Sequence, residues 1–245
     1  MVNIVIPMAG LGSRFVCDGY EKPKPFIDVA GKPMIMRVLD NLWMPAANFI
    51  LIARREHIEK EKALVELIKS EYGATFVAIE SLTEGTACTV LYARRLINND
   101  VPLIIANSDQ IVDMKIGDLI NDANSRELDG SIITFFDKDK DPKWSFAALD
   151  ESGIVVKVRE KEPISHHATV GIYYFTKGSY FVDSAIDMII ENERVNNEFY
   201  TCPVYNYLIS EQKKIGIFEI SEENMHGIGT PEDLNNYLLG GRETQ

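Results

Sequence analysis

Cysteine is scarce in this chain, and its spacing is uninformative for metal or disulfide chemistry. Cys17, Cys88 and Cys202 are the three in 245 residues, far apart and with no Cys-x-x-Cys pair. That argues against a disulfide framework or a zinc site, and a reducing cytoplasm is the expected setting. Positive charge is scarce too: 25 Lys and Arg stand against 37 Asp and Glu, a formal net charge of -12. With no long basic run, a general nucleic-acid binder is not expected. Long apolar runs are missing. The stretch from Leu42 to Ala53 is broken by Pro45 and Asn48 and is too short to cross a bilayer, so no membrane partner is expected. The first strand carries Asn3 and stops at Pro7, unlike a signal peptide. No Ser/Gly linker, repeat or low-complexity tract divides the chain, and a single domain over residues 1–245 is the simplest account.

What is present is an alternation of strand and helix patterns. Val2–Pro7, Phe49–Ala53, Thr75–Ile79 and Leu103–Ala106 read as buried strands. Between them Pro33–Leu42, Glu56–Tyr72 and Thr86–Ile97 read as helices, the second with Leu64, Val65, Leu67 and Ile68 as its buried stripe. Such alternation implies an α/β fold with a mainly parallel sheet and ligands at the carboxyl ends of its strands. After about Gly130 short strands follow one another closely: Ser131–Phe136, Phe146–Leu149, Ile154–Val158 and Thr169–Phe175, with a turn at Asp150–Gly153. This second half reads as a small antiparallel lobe. Helices at Ser179–Asn192 and Cys202–Ser210, a strand at Ile215–Ile220 and a helix capped by Thr230-Pro231 complete the pattern.

The segment Ile4–Pro25, IVIPMAGLGSRFVCDGYEKPKP, carries the chemistry. An apolar strand runs into a turn containing Gly10 and Gly12, followed by Arg14 and by Lys22 and Lys24 framed with prolines. Bare main-chain amides in a tight turn with cations close by suit a polyphosphate. A dinucleotide fingerprint would need a small residue where Phe15 stands, and a P-loop would need Gly-Lys-Ser/Thr, which is absent.

These residues resemble the signature of the sugar-1-phosphate nucleotidylyltransferases: Gly10-Leu11-Gly12-Ser13-Arg14, then Lys22-Pro23-Lys24-Pro25, then Gly31-Lys32-Pro33. The resemblance spans nearly the whole chain. It implies a GT-A-like, Rossmann-like mixed sheet, with about residues 1–130 holding nucleotide and about 131–245 holding the acceptor. It further implies that Met8, Ala9, Gly10, Leu11 and Gly12 cradle the nucleotide, that Arg14 meets the triphosphate, and that Lys24 is the catalytic lysine. The segment Glu80 to Ala87 is similar to the family's base-reading stretch, with Gly85 and Thr86 in its conserved places and Glu80 where glutamine is usual. A carboxylate only accepts hydrogen bonds, and cytosine offers an exocyclic amine, so CTP is favoured. The open alternative leaves Glu80 in water, with backbone groups reading UTP or dTTP.

Asp109, at the end of the strand Leu103–Ala106, matches the family's metal-binding aspartate, and Mg2+ is the implied cofactor. The second family aspartate is replaced by Gly227, which leaves the ion to be held more by phosphates and water, or by an acid such as Glu222 or Glu223. Glu160 and Lys161 resemble the acceptor-binding Glu-Lys pair, and Gly171 belongs to the strand after it. His166 and His167 read as ordinary loop residues, and Phe199, Tyr200, Tyr205 and Tyr207 as core and pocket wall. The reaction implied is attack of a phosphate ester, such as a sugar 1-phosphate or a phosphorylated alcohol, on an NTP with loss of pyrophosphate. Supply of cell-surface polysaccharide synthesis is the expected role, and a homodimer the expected assembly. A catalytically silent regulatory relative and a nicotinamide-dependent oxidoreductase are the competing classes.

Overall fold

The structure is a computed structural model and describes residues 1–240. Its centre is a nine-stranded sheet. In chain order the strands are β1 (Val2–Pro7), β2 (Ala47–Arg54), β3 (Thr75–Ile79), β4 (Leu103–Ala106), β5 (Gly130–Phe136), β6 (Ser145–Leu149), β7 (Val155–Glu160), β8 (His167–Phe175) and β9 (Ile215–Ile220). The path runs β7-β6-β8-β4-β1-β2-β3, and β5 pairs with β8 and carries β9 on its other side. The β4-β1-β2-β3 portion is parallel. From β8 outward the pairing turns antiparallel, except for the parallel β5–β9 pair. The antiparallel strands therefore extend the same sheet.

Alternation along β1 explains why both faces are covered. Ile4 and Ile6 pack in one layer with Met36, Leu39, Val65 and Ile68, while Val5 faces the other with Ala87, Val90, Phe181 and Ala185. A parallel sheet needs helices on both sides to bury such strands. Burial of β1 is accordingly complete from Val2 to Ile6.

A third, smaller cluster builds the floor of the site. Phe15, Ile27, Met34, Ile111, Ile228 and Leu234 tie the glycine turn to the last helix, Pro231–Gly240. A two-stranded pairing of Gln110–Val112 with Met225–Gly227 brings the C-terminal segment to the end of β4. That helix is capped as expected: Asp233 N–H donates to Thr230 Oγ1 at 3.1 Å.

Three local expectations need correction. The helix expected over Glu56–Tyr72 is two helices, Arg55–Lys60 and Lys62–Tyr72, separated at Glu61 with φ -109° and ψ 35°. Its stripe narrows to Val65 and Ile68, and Leu67, off the face those two share, is 45% exposed. Thr86–Ile97 likewise divides into Thr86–Leu91 and Arg94–Ile97.

Candidate active site

The glycine turn leaves its amides without partners. Met8 N–H closes onto Ile52 O at 2.8 Å, and thereafter the N–H groups of Ala9, Gly10, Leu11 and Gly12 make no hydrogen bond among the described residues. Gly12 has φ +62°, and a Cβ there would stand 2.9 Å from Lys24 Cβ. Glycine is thus needed twice over, for the left-handed backbone and for the approach of Lys24. The helix Ser13–Cys17 begins directly after it and carries Arg14. Arg14 is exposed on the wall of a cleft of about 540 Å³, and it makes no ion pair among the described residues.

Lys24 enters this cleft from a short 3-10 turn, Lys24–Phe26, that Pro23 starts and the fully buried Phe26 anchors. Its Nζ forms an ion pair with Asp109 Oδ2. Asp109 is held by its own backbone: Ile228 N–H donates to Asp109 O at 2.9 Å. A Cβ at Gly229 would lie 2.6 Å from Asp109 Oδ2 and 3.6 Å from Lys24 Nζ. Lys22, exposed, does not line the cleft.

A second recess of about 240 Å³ opens beside the turn, lined by Ala9, Leu11, Leu82, Thr83 and Gly85 among others. Gly85 has φ +124°, and a Cβ there would meet Phe199 O at 2.4 Å. That contact exists because Phe199 N–H donates to Glu84 O and Ala87 N–H to Phe199 O, at 2.7 and 3.0 Å. Glu80 is not among the residues lining this recess. It is exposed and its Oε1 accepts from Arg55 Nε at 2.7 Å. The expectation that Glu80 faces the base therefore differs from its position here, because the nearby guanidinium draws it outward.

A third recess of about 260 Å³ gathers Glu160, Lys161 and Gly171, together with Asn107, Trp144 and Tyr200. Glu160 accepts from Ser145 Oγ, and burial pushes its carboxyl above the ordinary range, opposed in part by that hydroxyl. Lys161 Nζ donates to Tyr200 Oη at 2.6 Å, and Tyr200 Oη in turn donates to Glu198 Oε2. Burial and Glu198 push the Tyr200 phenol up, so it stays protonated and serves as donor. Gly171, φ +87°, forms the bulge in β8 where the register shifts between Thr169 and Tyr173. A Cβ on it would sit 2.2 Å from Asn107 Nδ2.

The recesses are one continuous groove. Thr86 lines all three, and Asn107 lines the central cleft and the Glu160 recess. Sequence reading missed Asn107 and Glu198, whereas Tyr200 lines the Glu160 recess as a wall residue, as expected. The signal for Glu198 was Val195-Asn196-Asn197-Glu198: Asn196 and Asn197 have φ +50° and +64°, and Val195 and Glu198 exchange two 3.0 Å backbone hydrogen bonds. Of the expected wall residues, Phe199 and Tyr205 are core, and Tyr207 instead donates to Glu191 at 2.9 Å. His166 stacks on Phe136 and His167 pairs with Glu219.

The donor set limits how a divalent cation is held. Among the described residues no three His, Cys, Asp or Glu side chains come together. Asp109 supplies a carboxylate at the cleft floor, Gly227 supplies no side-chain oxygen, and neither Glu222 nor Glu223 lines the cleft. These residues fit a magnesium ion that keeps water and phosphate oxygens as most of its shell, with Asp109 as the protein carboxylate.

No helix among the described residues is long and apolar enough to cross a membrane. Among solved structures, a nucleoside-diphosphate-sugar pyrophosphorylase from Vibrio cholerae RC9 superposes with a TM-score of 0.83 at 24% identity, covering 96% of this chain and 99% of that one. A UDP-glucose pyrophosphorylase complexed with UDP-glucose gives 0.77 at 15% identity, covering both chains fully. Both likenesses concern the fold. A UTP–glucose-1-phosphate uridylyltransferase, AglF, of Haloferax volcanii is 24% identical over 79% of this chain and 85% of its own length. A mannose-1-phosphate guanylyltransferase catalytic subunit beta of Dictyostelium discoideum is 25% identical over 71% of this chain and 49% of its own. The chain spans about half the length of several such curated relatives. The profile of the nucleotidyl transferase family matches residues 4–234, and the chain belongs to that family.

Proposed function

We propose that this chain transfers a nucleotidyl group from an NTP to a sugar 1-phosphate or a similar small phosphate ester, releasing pyrophosphate. The observation that carries this reading is the groove itself. Unpaired turn amides, Arg14 and Lys24 stand at one end, and Glu160 with Lys161 stands at the other, joined through Thr86 and Asn107. A phosphate monoester with a second pKa of about 6 is already an anionic nucleophile at neutral pH, so no general base is needed. The barrier is repulsion between anions, about 4 kcal/mol for unit charges 4 Å apart at an effective dielectric near 20. Lys24, Arg14 and the turn amides offset that repulsion, most strongly for charge that develops at the transition state.

Lys161 is the cation for the acceptor phosphate, and Glu160 accepts from the acceptor's hydroxyls. Asp109 would hold a magnesium ion, which would supply neutralisation of phosphate charge. For the base, the reading is CTP. Glu80 sits at the end of β3, and its pair with Arg55 is exposed, so water competes for it and it opens readily. Capsule or other surface-polysaccharide supply is the proposed role. The test is pyrophosphate release with CTP, UTP, dTTP and GTP against a panel of sugar 1-phosphates and phosphorylated alcohols with Mg2+. Turnover with one such pair is expected. No release with any pair would overturn transfer, and a clear preference for UTP or GTP would overturn the cytidylyl assignment.

A further inference from the structure

Glu198 lines two recesses at once: the central cleft with Lys24 and Asp109, and the apolar recess with Leu11 and Leu82. In a nucleoside triphosphate the unit joining the base to the phosphates is the ribose. With the base in one recess and the phosphates in the other, the ribose passes the wall both share. That wall is Pro7, Gly10, Thr86 and Glu198. Among these four the charged acceptor is Glu198.

We infer that Glu198 reads the ribose 2′- and 3′-hydroxyls and makes the site select ribonucleotides over deoxyribonucleotides. This rests on the nucleotidyl-transfer reading for what occupies the groove. A carboxylate accepts from two donors side by side, which a vicinal diol provides. Its Oε2 accepts from Tyr200, and its Oε1 has no partner among the described residues.

The side chain is aimed by its surroundings. The Asn196-Asn197 hairpin presents Glu198, and Phe199 and Thr201, just beyond it, are bonded to Glu84 and Thr86. Tyr200, itself receiving a hydrogen bond from Lys161, holds the carboxylate. Tyr200 is thus a positioning residue that ties ribose recognition to the acceptor end of the groove. An acid among phosphate-binding groups would otherwise be a cost, since it repels the triphosphate. Contact with the ribose gives it a reason.

The test is equilibrium titration of the intact chain with CTP, UTP and their 2′-deoxy counterparts in Mg2+ without acceptor. Parallel turnover measurements accompany it. Loss of a hydrogen bond to a charged group corresponds to roughly a 10- to 100-fold effect, so the parent should prefer each ribonucleotide by about that factor. Glu198→Ala should bring the ratio near one, chiefly by weakening ribonucleotide binding. Tyr200→Phe should lower the ratio partly, which a merely structural role would not do. A parent ratio near one, or one unchanged in Glu198→Ala, overturns the inference. A surviving ribonucleotide preference without turnover on any acceptor would sink the transfer reading and leave the ribose assignment standing.

Discussion

Gly229 faces Asp109 so closely that a Cβ on the glycine would stand 2.6 Å from the carboxylate Oδ2. No contact that short is tolerated, and Asp109 is the flexible partner that must move. The Lys24–Asp109 pair would then lose its geometry while the core stays intact, since neither side chain is packed in it. Gly229→Ala is expected to lower turnover by about 10²-fold, the scale of a misplacement near 1 Å. Stability should remain close to that of the parent. Steady-state kinetics beside a thermal melt checks this, and parental turnover would mean that Asp109 position is unimportant.

Lys24→Ala is the direct probe of the cation. Lys24 meets the cleft from a turn whose anchor is Phe26, so its side chain can be removed without disturbing packing. A loss of about 10²- to 10³-fold in kcat is expected, as for removal of one preorganised donor to a transition-state oxyanion. Nucleotide affinity should change much less. Turnover near the parent value would remove Lys24 from the mechanism.

Much of this arrangement is legible in the chain alone. Strands β3, β4 and β9 fall where apolar runs end at polar residues, Glu80, Asn107 and Ser221, because a buried strand leaves that signature in local sequence. The glycine turn and Lys24 are legible for the same reason: their chemistry is contained in a few consecutive residues. The break at Glu61 is not, since Glu56–Tyr72 carries no Gly or Pro and only packing separates its two helices. Nor is the pairing of Gln110–Val112 with Met225–Gly227, two segments more than a hundred residues apart. Glu80 and Asn107 show the same limit at the site. Sequence position put Glu80 near the base, but its rotamer is decided by Arg55, a neighbour from another element.

Gly85 tests the join between the recess beside the glycine turn and the hairpin segment. Its φ of +124° is unfavourable to any side chain, and the atoms a Cβ would meet are Phe199 backbone, which cannot swing aside. Gly85→Ala should cost on the order of 3 kcal/mol of stability, from backbone strain and displacement of Phe199 together. Urea unfolding measures it. A variant as stable as the parent would mean the 84–87 and 198–201 segments are not locked together.

Glu160 gives a pH signature with a definite sign. Burial raises its carboxyl in the folded state, so the native protein keeps the proton over a window where the unfolded chain has lost it. Its contribution is fully present below the unfolded value and is lost as pH rises through the raised folded value. Ser145, Lys161 and Glu198 are the groups that act on it. Unfolding free energy of the parent should therefore fall with rising pH across the weakly acidic range more steeply than that of Glu160→Gln. Parallel slopes in the two proteins would show that Glu160 titrates normally.

Glu80→Gln asks which group chooses the base. As a carboxylate, Glu80 offers acceptors alone, which matches the exocyclic amine of cytosine and mismatches the carbonyl at the same position of uracil. Glutamine adds a donor and removes the charge that binds Arg55. The variant should shift the ratio of kcat/KM for CTP over UTP toward UTP by about tenfold, the lower end of what one base-edge contact contributes. Arg55→Ala should act in the opposite direction, since it frees the carboxylate for the base without altering its chemistry. Competition between the two triphosphates in one reaction gives the ratio directly. If neither variant moves it, the base is chosen by the backbone of residues 82–85, and Glu80 is a surface partner of Arg55.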